Sequence, residues 1–296
     1  MMKFVKKLPI PVSGLILAIL SLGNLLQGFP RIVCGAVGVI FIFLLLLKLI
    51  KYPGIVKKDL SNPIILCNSG TFSMSLMLLS TYINSFSSDL ALSVWILGIC
   101  LHILLIIWFT YRNIVCKFDI NVVYPSYWIV FVGITMGAIT AHVHGLNEIG
   151  FIFFLFGFMS MIITLPLVIY RYIKYPNKLD QNKPLICIFT AVINILIVGY
   201  TNSVSNISYE FLMVLYSFAF LFFLFALYKV IEYRNLEFYP SYSAFTFPFV
   251  ITAIASKEVF ALNQSSVLNI IVQIQTIIAI ILVIYVLYNY MKFLLN

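Results

Sequence analysis

Tyr239-Pro240-Ser241-Tyr242-Ser243-Ala244-Phe245-Thr246-Phe247-Pro248-Phe249 opens with four letters that also stand at Tyr124-Pro125-Ser126-Tyr127. At both places a basic loop comes before the motif and an apolar run of helical length follows it. Three more apolar runs begin the same way, at Pro11, Pro63 and Pro184, so the five prolines recur at spacings of 52, 62, 59 and 56 residues. Proline suits the first turn of a helix, where its missing N–H would have no intrahelical partner anyway. Five such starts in phase with the charge pattern point to one unit used five times.

Working outward, the apolar runs cover Ile10–Gln27, Ile32–Ile50, Pro63–Tyr82, Leu90–Thr110, Pro125–Val143, Gly150–Arg171, Pro184–Thr201, Phe211–Val230, Pro240–Ser256 and Val267–Tyr290. About 20 residues cross a hydrocarbon core of roughly 30 Å, so ten transmembrane helices account for most of the 296 residues as a single domain, 1–296. The composition agrees: 63% of the residues are hydrophobic, 9% are charged, and the mean hydropathy is +1.10. A soluble surface needs roughly a quarter of its residues charged, and a disordered chain cannot be this apolar.

The net charge is +9, yet the basic residues sit in loops and do not form the single face that nucleic-acid binding needs. With the N-terminus inside, sixteen of the eighteen Lys/Arg fall on the cytoplasmic side, and only Arg31 and Lys257 fall on the other. The positive-inside rule then predicts cytoplasmic N- and C-termini, with five hairpins each entering from the cytoplasm. Lys3, Lys6 and Lys7 before an apolar stretch resemble a signal peptide; the proline phase makes that stretch the first helix instead. The five cysteines are scattered and read as small core residues, not as a disulfide framework or metal site.

Odd and even runs differ in chemistry. The odd runs carry 23 Ser, Thr, Asn, Gln or His in 92 residues, and the even runs carry 11 in 106. Polar groups in a bilayer turn toward protein or water, whereas Leu, Ile and Phe can face lipid. The fold class predicted is therefore an all-α integral membrane protein of five repeated hairpins. Its odd helices form an inner, pore-lining ring and its even helices an outer one. Ser73, Thr135, Asn194 and Thr246 are the polar candidates for the lining. Hydroxyls in membrane helices also bond their own i−4 carbonyl or join two helices, so the weight lies on the class difference and not on single residues.

No odd run contains Asp, Glu, Lys or Arg. Coupled carriers usually keep an ionisable group or an unwound helix at mid-membrane, and an enzyme needs a catalytic constellation there. The sequence offers neither, so it predicts no enzyme, no cofactor and a passive path for an ion or small solute. His142 and His144 lie at the outer end of the fifth helix and are candidates for the pore mouth. Residues two apart on a helix do not face each other, so a metal site is not predicted there. His102, alone in the fourth run, reads as a hydrogen-bonded core residue.

The ninth run stands apart for its three aromatics around an internal proline. Pro248 removes one backbone bond and clashes with the preceding turn, so a kink is predicted near Ala244–Phe247. An aromatic at such a kink can swing into a narrow bore, although packing against neighbours or lipid is the simpler role.

With its basic inner loops, its hairpin repeat and Ala244-Phe245-Thr246-Phe247-Pro248, the chain resembles the tellurite-resistance/dicarboxylate transporter family. That family includes bacterial TehA proteins, fungal malate permeases and plant guard-cell slow anion channels. The resemblance implies a homotrimer in which each protomer has its own pore within the odd helices. It makes Phe247 the pore plug, with Phe245 as the fallback, and it places Gly14 where a side chain would obstruct the bore. The function expected is a passive channel or uniporter for small inorganic or carboxylate anions in the inner or plasma membrane. The alternative is a carrier of C4-dicarboxylates such as malate, or of an oxyanion such as tellurite, coupled to protons through His142 or His144.

Overall fold

The computed structural model describes residues 2–176 and 179–296; Lys178, one of the basic residues counted above, lies outside them. The described chain is helical, with no strand. Its α-helices are α1 (Met2–Lys7), α2 (Val12–Leu26), α3 (Gly28–Lys51), α4 (Pro53–Asp59), α5 (Pro63–Ile83), α6 (Ser88–Thr110), α7 (Tyr127–Phe131), α8 (Thr135–Ala141), α9 (Asn147–Lys174), α10 (Phe189–Ser203), α11 (Tyr209–Glu232), α12 (Phe247–Leu262) and α13 (Ser266–Leu295). Tight 3₁₀ segments, Asp180–Ile188 and Pro240–Phe245, lead into α10 and α12.

Among the described residues, eight helical segments are long and apolar enough to cross a membrane. The other two predicted spans differ from continuous helices. The first is a 15-residue apolar helix, α2, entered through a turn at Pro9–Pro11. The fifth is broken into α7 and α8, and the break has a local cause. The Trp128 carbonyl accepts from both Val132 N and Gly133 N, at 2.8 and 2.9 Å, which uses one acceptor twice and stops the regular ladder. Gly133 permits this, since a Cβ there would stand 2.1 Å from the Ile129 carbonyl oxygen. His102 completes the arrangement. Its Nε2 lies 3.0 Å from the Val130 carbonyl, which can only accept, so Nε2 carries the proton and Nδ1 accepts from Ser73 Oγ at 2.7 Å.

Burial separates two classes of helix. The segment 180–203 is 94% buried over its most apolar stretch, and 63–83 and 240–262 are each 67% buried, against 22–33% for the other five long segments. In α2 every residue but Asn24 and Leu26 is buried. The buried helices close on one another: α2 packs on α5, α5 on α8, α8 on α10, α10 on α12, and α12 returns to α2. Each is followed in the chain by an exposed helix that packs against it, namely α3, α6, α9, α11 and α13.

Short polar clasps fasten the buried ring. Ser13 Oγ meets Thr71 Oγ1 at 2.7 Å between α2 and α5, and Thr190 Oγ1 meets Thr252 Oγ1 at 3.0 Å between α10 and α12. The outward faces carry the opposite chemistry. Ile32, Ile50, Leu104, Ile163, Leu221 and Ile284 are each at least 60% exposed. Apolar surface on this scale belongs in a hydrocarbon solvent and not in water.

Candidate functional site

Three cavities lie in series along the ring, and their order follows from the register of the residues lining them. The first, of about 180 Å³, is lined where the buried helices begin, by Pro9, Pro11, Asn62, Asn68, Asn182 and Pro240 among others. The central one, of about 50 Å³, is lined one to two turns further in. It takes residues from all five buried segments: Pro11 and Gly14; Asn68, Thr71 and Met74; Trp128, Ile129, Val132 and Gly133; Ile188, Ala191, Val192 and Ile195; Ser243, Ala244, Phe247 and Pro248. Pro11 and Asn68 line both of these cavities. The third, of about 430 Å³, is lined where the helices end, by Asn24, Arg31, Thr81, His142, Asn202, Lys257 and Glu258 among others.

No lining residue is common to the central and third cavities. From Met74 to Leu78, from Ile195 to Val198 and from Phe247 to Ile251 is one helical turn each, so the closed layer between them is about 5 Å thick. All six of these bounding residues are apolar; Ser75, the one polar residue within these three stretches, turns its hydroxyl back to the Thr71 carbonyl at 2.7 Å. The central cavity has room for a few waters at most, since a single water needs roughly 10–15 Å³ on this measure.

Phe247 and Pro248 take their places at this layer through a break in the backbone. Thr246 has φ −107° and ψ −84°, which ends the 3₁₀ segment; the new helix starts at Phe247 with Pro248 in its first turn. Proline therefore stands where its missing donor costs nothing. The Ser243 carbonyl at the break receives both Thr246 N at 3.1 Å and Thr246 Oγ1 at 2.6 Å. Phe247 is 6% exposed. Phe245 leaves the cavity and stacks edge-on against Tyr242, with ring centroids 5.0 Å apart.

Of the lining candidates named from sequence, Gly14 is on the central cavity, close against Ser243. Ser73 faces His102. Thr135 is buried against Gly157 and Gly199, with no hydrogen-bond partner for its hydroxyl. Asn194 donates to the Thr190 carbonyl at 2.6 Å and to Thr252 Oγ1 at 3.0 Å. Ser73 and Asn194 tie helices together beside the cavity, Thr135 packs between helices without a bond, and Thr246 fastens its own turn. The two histidines diverge. His142 lines the third cavity, and His144 turns to Ser80 Oγ at 3.0 Å and to the Trp95 ring. No group of His, Cys, Asp or Glu among the described residues has the geometry of a metal site.

Sequence reasoning passed over Asn68 and Thr71, which are spaced one turn apart on one face of α5, and of the third cavity it named only His142. That cavity gathers the two basic residues that stood apart in the charge count. Arg31 donates to Asn24 Oδ1 and to the Thr81 carbonyl, each at 2.9 Å, and Lys257 donates to the Leu25 carbonyl at 3.1 Å. Both cations are thus anchored at the C-terminal end of α2. The helix containing Lys257 and Glu258 runs on to Leu262, beyond the predicted end at Ser256.

A search of curated proteins returned no match. The family comparison did match: residues 8–291, nearly the whole chain and every element of the ring, fit a family described as the voltage-dependent anion channels. A multi-pass helical bundle with an apolar exterior and cavities along its axis is what such a family requires, and the chain belongs to the SLAC1 family of anion channels and transporters.

Proposed function

We propose that the chain is a passive anion channel or uniporter of the cytoplasmic or plasma membrane, conducting through the ring of buried helices. In this reading α2 and the broken α7–α8 segment cross the bilayer with the eight long segments, giving ten spans as five hairpins with both termini cytoplasmic. As in the resembling family, three copies assemble, each with its own path.

The observation that carries this is the series of three cavities interrupted by one apolar layer at Phe247. A narrow apolar section holds no continuous water and blocks ions until it widens. Phe247 is the gate. Gly14 and the Thr246–Pro248 break give it room to swing, and Ser73 and Asn194 hold the surrounding helices in register. Buried helices starting at the cytoplasmic side aim their N-terminal ends at the first cavity, which favours anions, and the Asp59 carboxylate on its wall is paired with Lys48 at 3.3 Å. Selectivity then follows dehydration cost and width, so discrimination among small monovalent anions is weak.

The test is current through purified protein in planar bilayers, wild type beside Phe247→Ala, in chloride, nitrate and malate in turn. Anion current that grows in the variant is the expected result. No current in either protein, with saturable malate uptake and counterflow in liposomes, replaces the channel by a dicarboxylate carrier and turns attention to His142 in the third cavity.

A further inference from the structure

Two basic side chains among the described residues are almost fully buried, Lys48 at 2% exposure and Arg171 at 3%. Lys48 is neutralised: its Nζ lies 3.3 Å from the Asp59 carboxylate and donates to the Leu8 carbonyl at 2.6 Å. Arg171 is not. Its Nη2 donates to the Asn121 carbonyl at 3.1 Å, but Nε and Nη1 are buried without an acceptor, and no described carboxylate forms an ion pair with it. The rings of Tyr124 and Tyr172 stand 3.9 and 5.0 Å from the guanidinium carbon. They soften the loss of water but supply no counter-charge. The carboxylates on the adjoining segments are engaged elsewhere: Asp119 accepts from Asn121 N at 2.9 Å, and Asp180 pairs with Lys183 at 2.6 Å.

A buried cation without a counter-charge is unfavourable enough that it marks a place where an anion belongs. Arg171 lines a cavity of about 640 Å³, with Lys174, Asn62, Asn121, Gln181 and Asn182. Among the described residues two cations and four amides line it, and no carboxylate does. The volume is far larger than a halide needs, whereas a tetrahedral oxyanion presents several acceptor oxygens to several donors. Asn62, Gln181 and Asn182 also line the first cavity of the ring, so this pocket opens beside the path and not within it.

We propose that this side pocket binds a phosphate group, either free inorganic phosphate or the phosphate of an anionic lipid headgroup, with Arg171 as its principal counter-charge and Lys174 at its rim. Rotation about the terminal torsions of Arg171 brings its unpartnered N–H groups to the ligand. The proposal does not depend on conduction through the ring, because it is read by binding.

The experiment is thermal unfolding of the full chain at constant ionic strength, titrated with inorganic phosphate in detergent. A second arm compares nanodiscs of phosphatidylcholine alone with nanodiscs containing phosphatidylglycerol. Wild type and the central-cavity variant Phe247→Ala should both be stabilised saturably. Arg171→Gln should lose at least tenfold in apparent affinity, and Lys174→Gln, at an exposed position where folding is not at risk, should lose severalfold. A response to phosphate in detergent identifies the free ion; a response only to phosphatidylglycerol identifies the headgroup. Stabilisation in neither arm, or stabilisation that survives both substitutions unchanged, overturns the proposal. If Arg171→Gln does not fold, Arg171→Lys and Lys174→Gln decide it.

Discussion

Gly14 and Ser243 meet in the wall of the central cavity so closely that a Cβ built on Gly14 stands 3.1 Å from Ser243 Cβ and 3.2 Å from its Oγ. Ser243 is held in the 3₁₀ segment just before the Thr246 break, so any side chain at position 14 must push either on that segment or into the cavity. Gly14→Val should therefore lower stability by about 1–3 kcal/mol, the usual cost of overpacking. In a Phe247→Ala background it should also cut anion current severalfold. Denaturation midpoints and bilayer currents on the same preparations check both; full current in the double variant would remove Gly14 from the path.

Phe245 and Phe247 are two residues apart and make opposite predictions. Phe245 is 1% exposed and packs on Tyr242, away from the cavity, so Phe245→Ala should behave as a core truncation. Its expected cost is roughly 3–5 kcal/mol of stability, with current per folded channel unchanged. Phe247→Ala should raise current even where its own stability falls. Thermal unfolding set against single-channel current separates the two, and a rise in current for Phe245→Ala would move the gate by two residues.

Arg31 and Lys257 answer an electrostatic problem in the third cavity. The buried helices end there with exposed carbonyl dipoles, which repel anions. Lys257 caps the Leu25 carbonyl directly, and Arg31 holds the adjacent Asn24, so both cations sit where α2 presents its negative end. In a wet vestibule a unit charge about 4 Å away contributes about 1 kcal/mol, or roughly a fivefold change in local anion occupancy. Lys257→Met and Arg31→Gln should each lower current carried by anions entering from that side by a factor of this size. The loss should shrink as salt is raised. Equal currents from wild type and variants at low salt would count against it.

Several of these features could be read in the sequence, and the reason lies in how each is encoded. The proline phase, the apolar lengths and the Thr246-Phe247-Pro248 break depend on local backbone chemistry, and there the structure has helix starts at Pro63 and a fresh helix at Phe247. The polar-rich runs are likewise the buried ones. Register was harder. A helix apolar on nearly every side, such as α10 with thirteen buried residues out of fifteen, gives no periodic clue to which face meets a cavity. Thus Ser73 and Asn194 bond to neighbouring helices and Thr135 is packed without a bond, while Asn68 and Thr71 line the space. The break at Val132–Ile134 carries no proline to announce it: it rests on the Trp128 carbonyl accepting from both Val132 and Gly133, and a lone glycine in an apolar run does not specify that. Arg171 looked like one more basic loop residue; only burial sets it apart.

His144 supplies the last prediction, a dependence on pH. It sits at the end of the 3₁₀ turn His142–His144, hydrogen-bonded to Ser80 Oγ at 3.0 Å and tilted against the Trp95 ring at 5.3 Å. Burial pushes its proton affinity below the ordinary histidine value, and charge on neighbouring His142 pushes it further the same way. The folded chain then holds fewer protons on this ring than the unfolded chain at mildly acidic pH. Stability must therefore fall as pH drops below the ordinary histidine value of about 6.5, and the loss ends once the folded-state ring itself becomes protonated. His144→Gln, which keeps a hydrogen-bonding group for Ser80 without a titrating ring, should flatten that slope. The measurement is the denaturation midpoint of wild type and variant at several values between pH 5 and 8, with His142→Gln alongside. His142 lines the third cavity and faces no such packing, so its variant should leave most of the slope in place. A slope that survives His144→Gln intact would assign the dependence to another group.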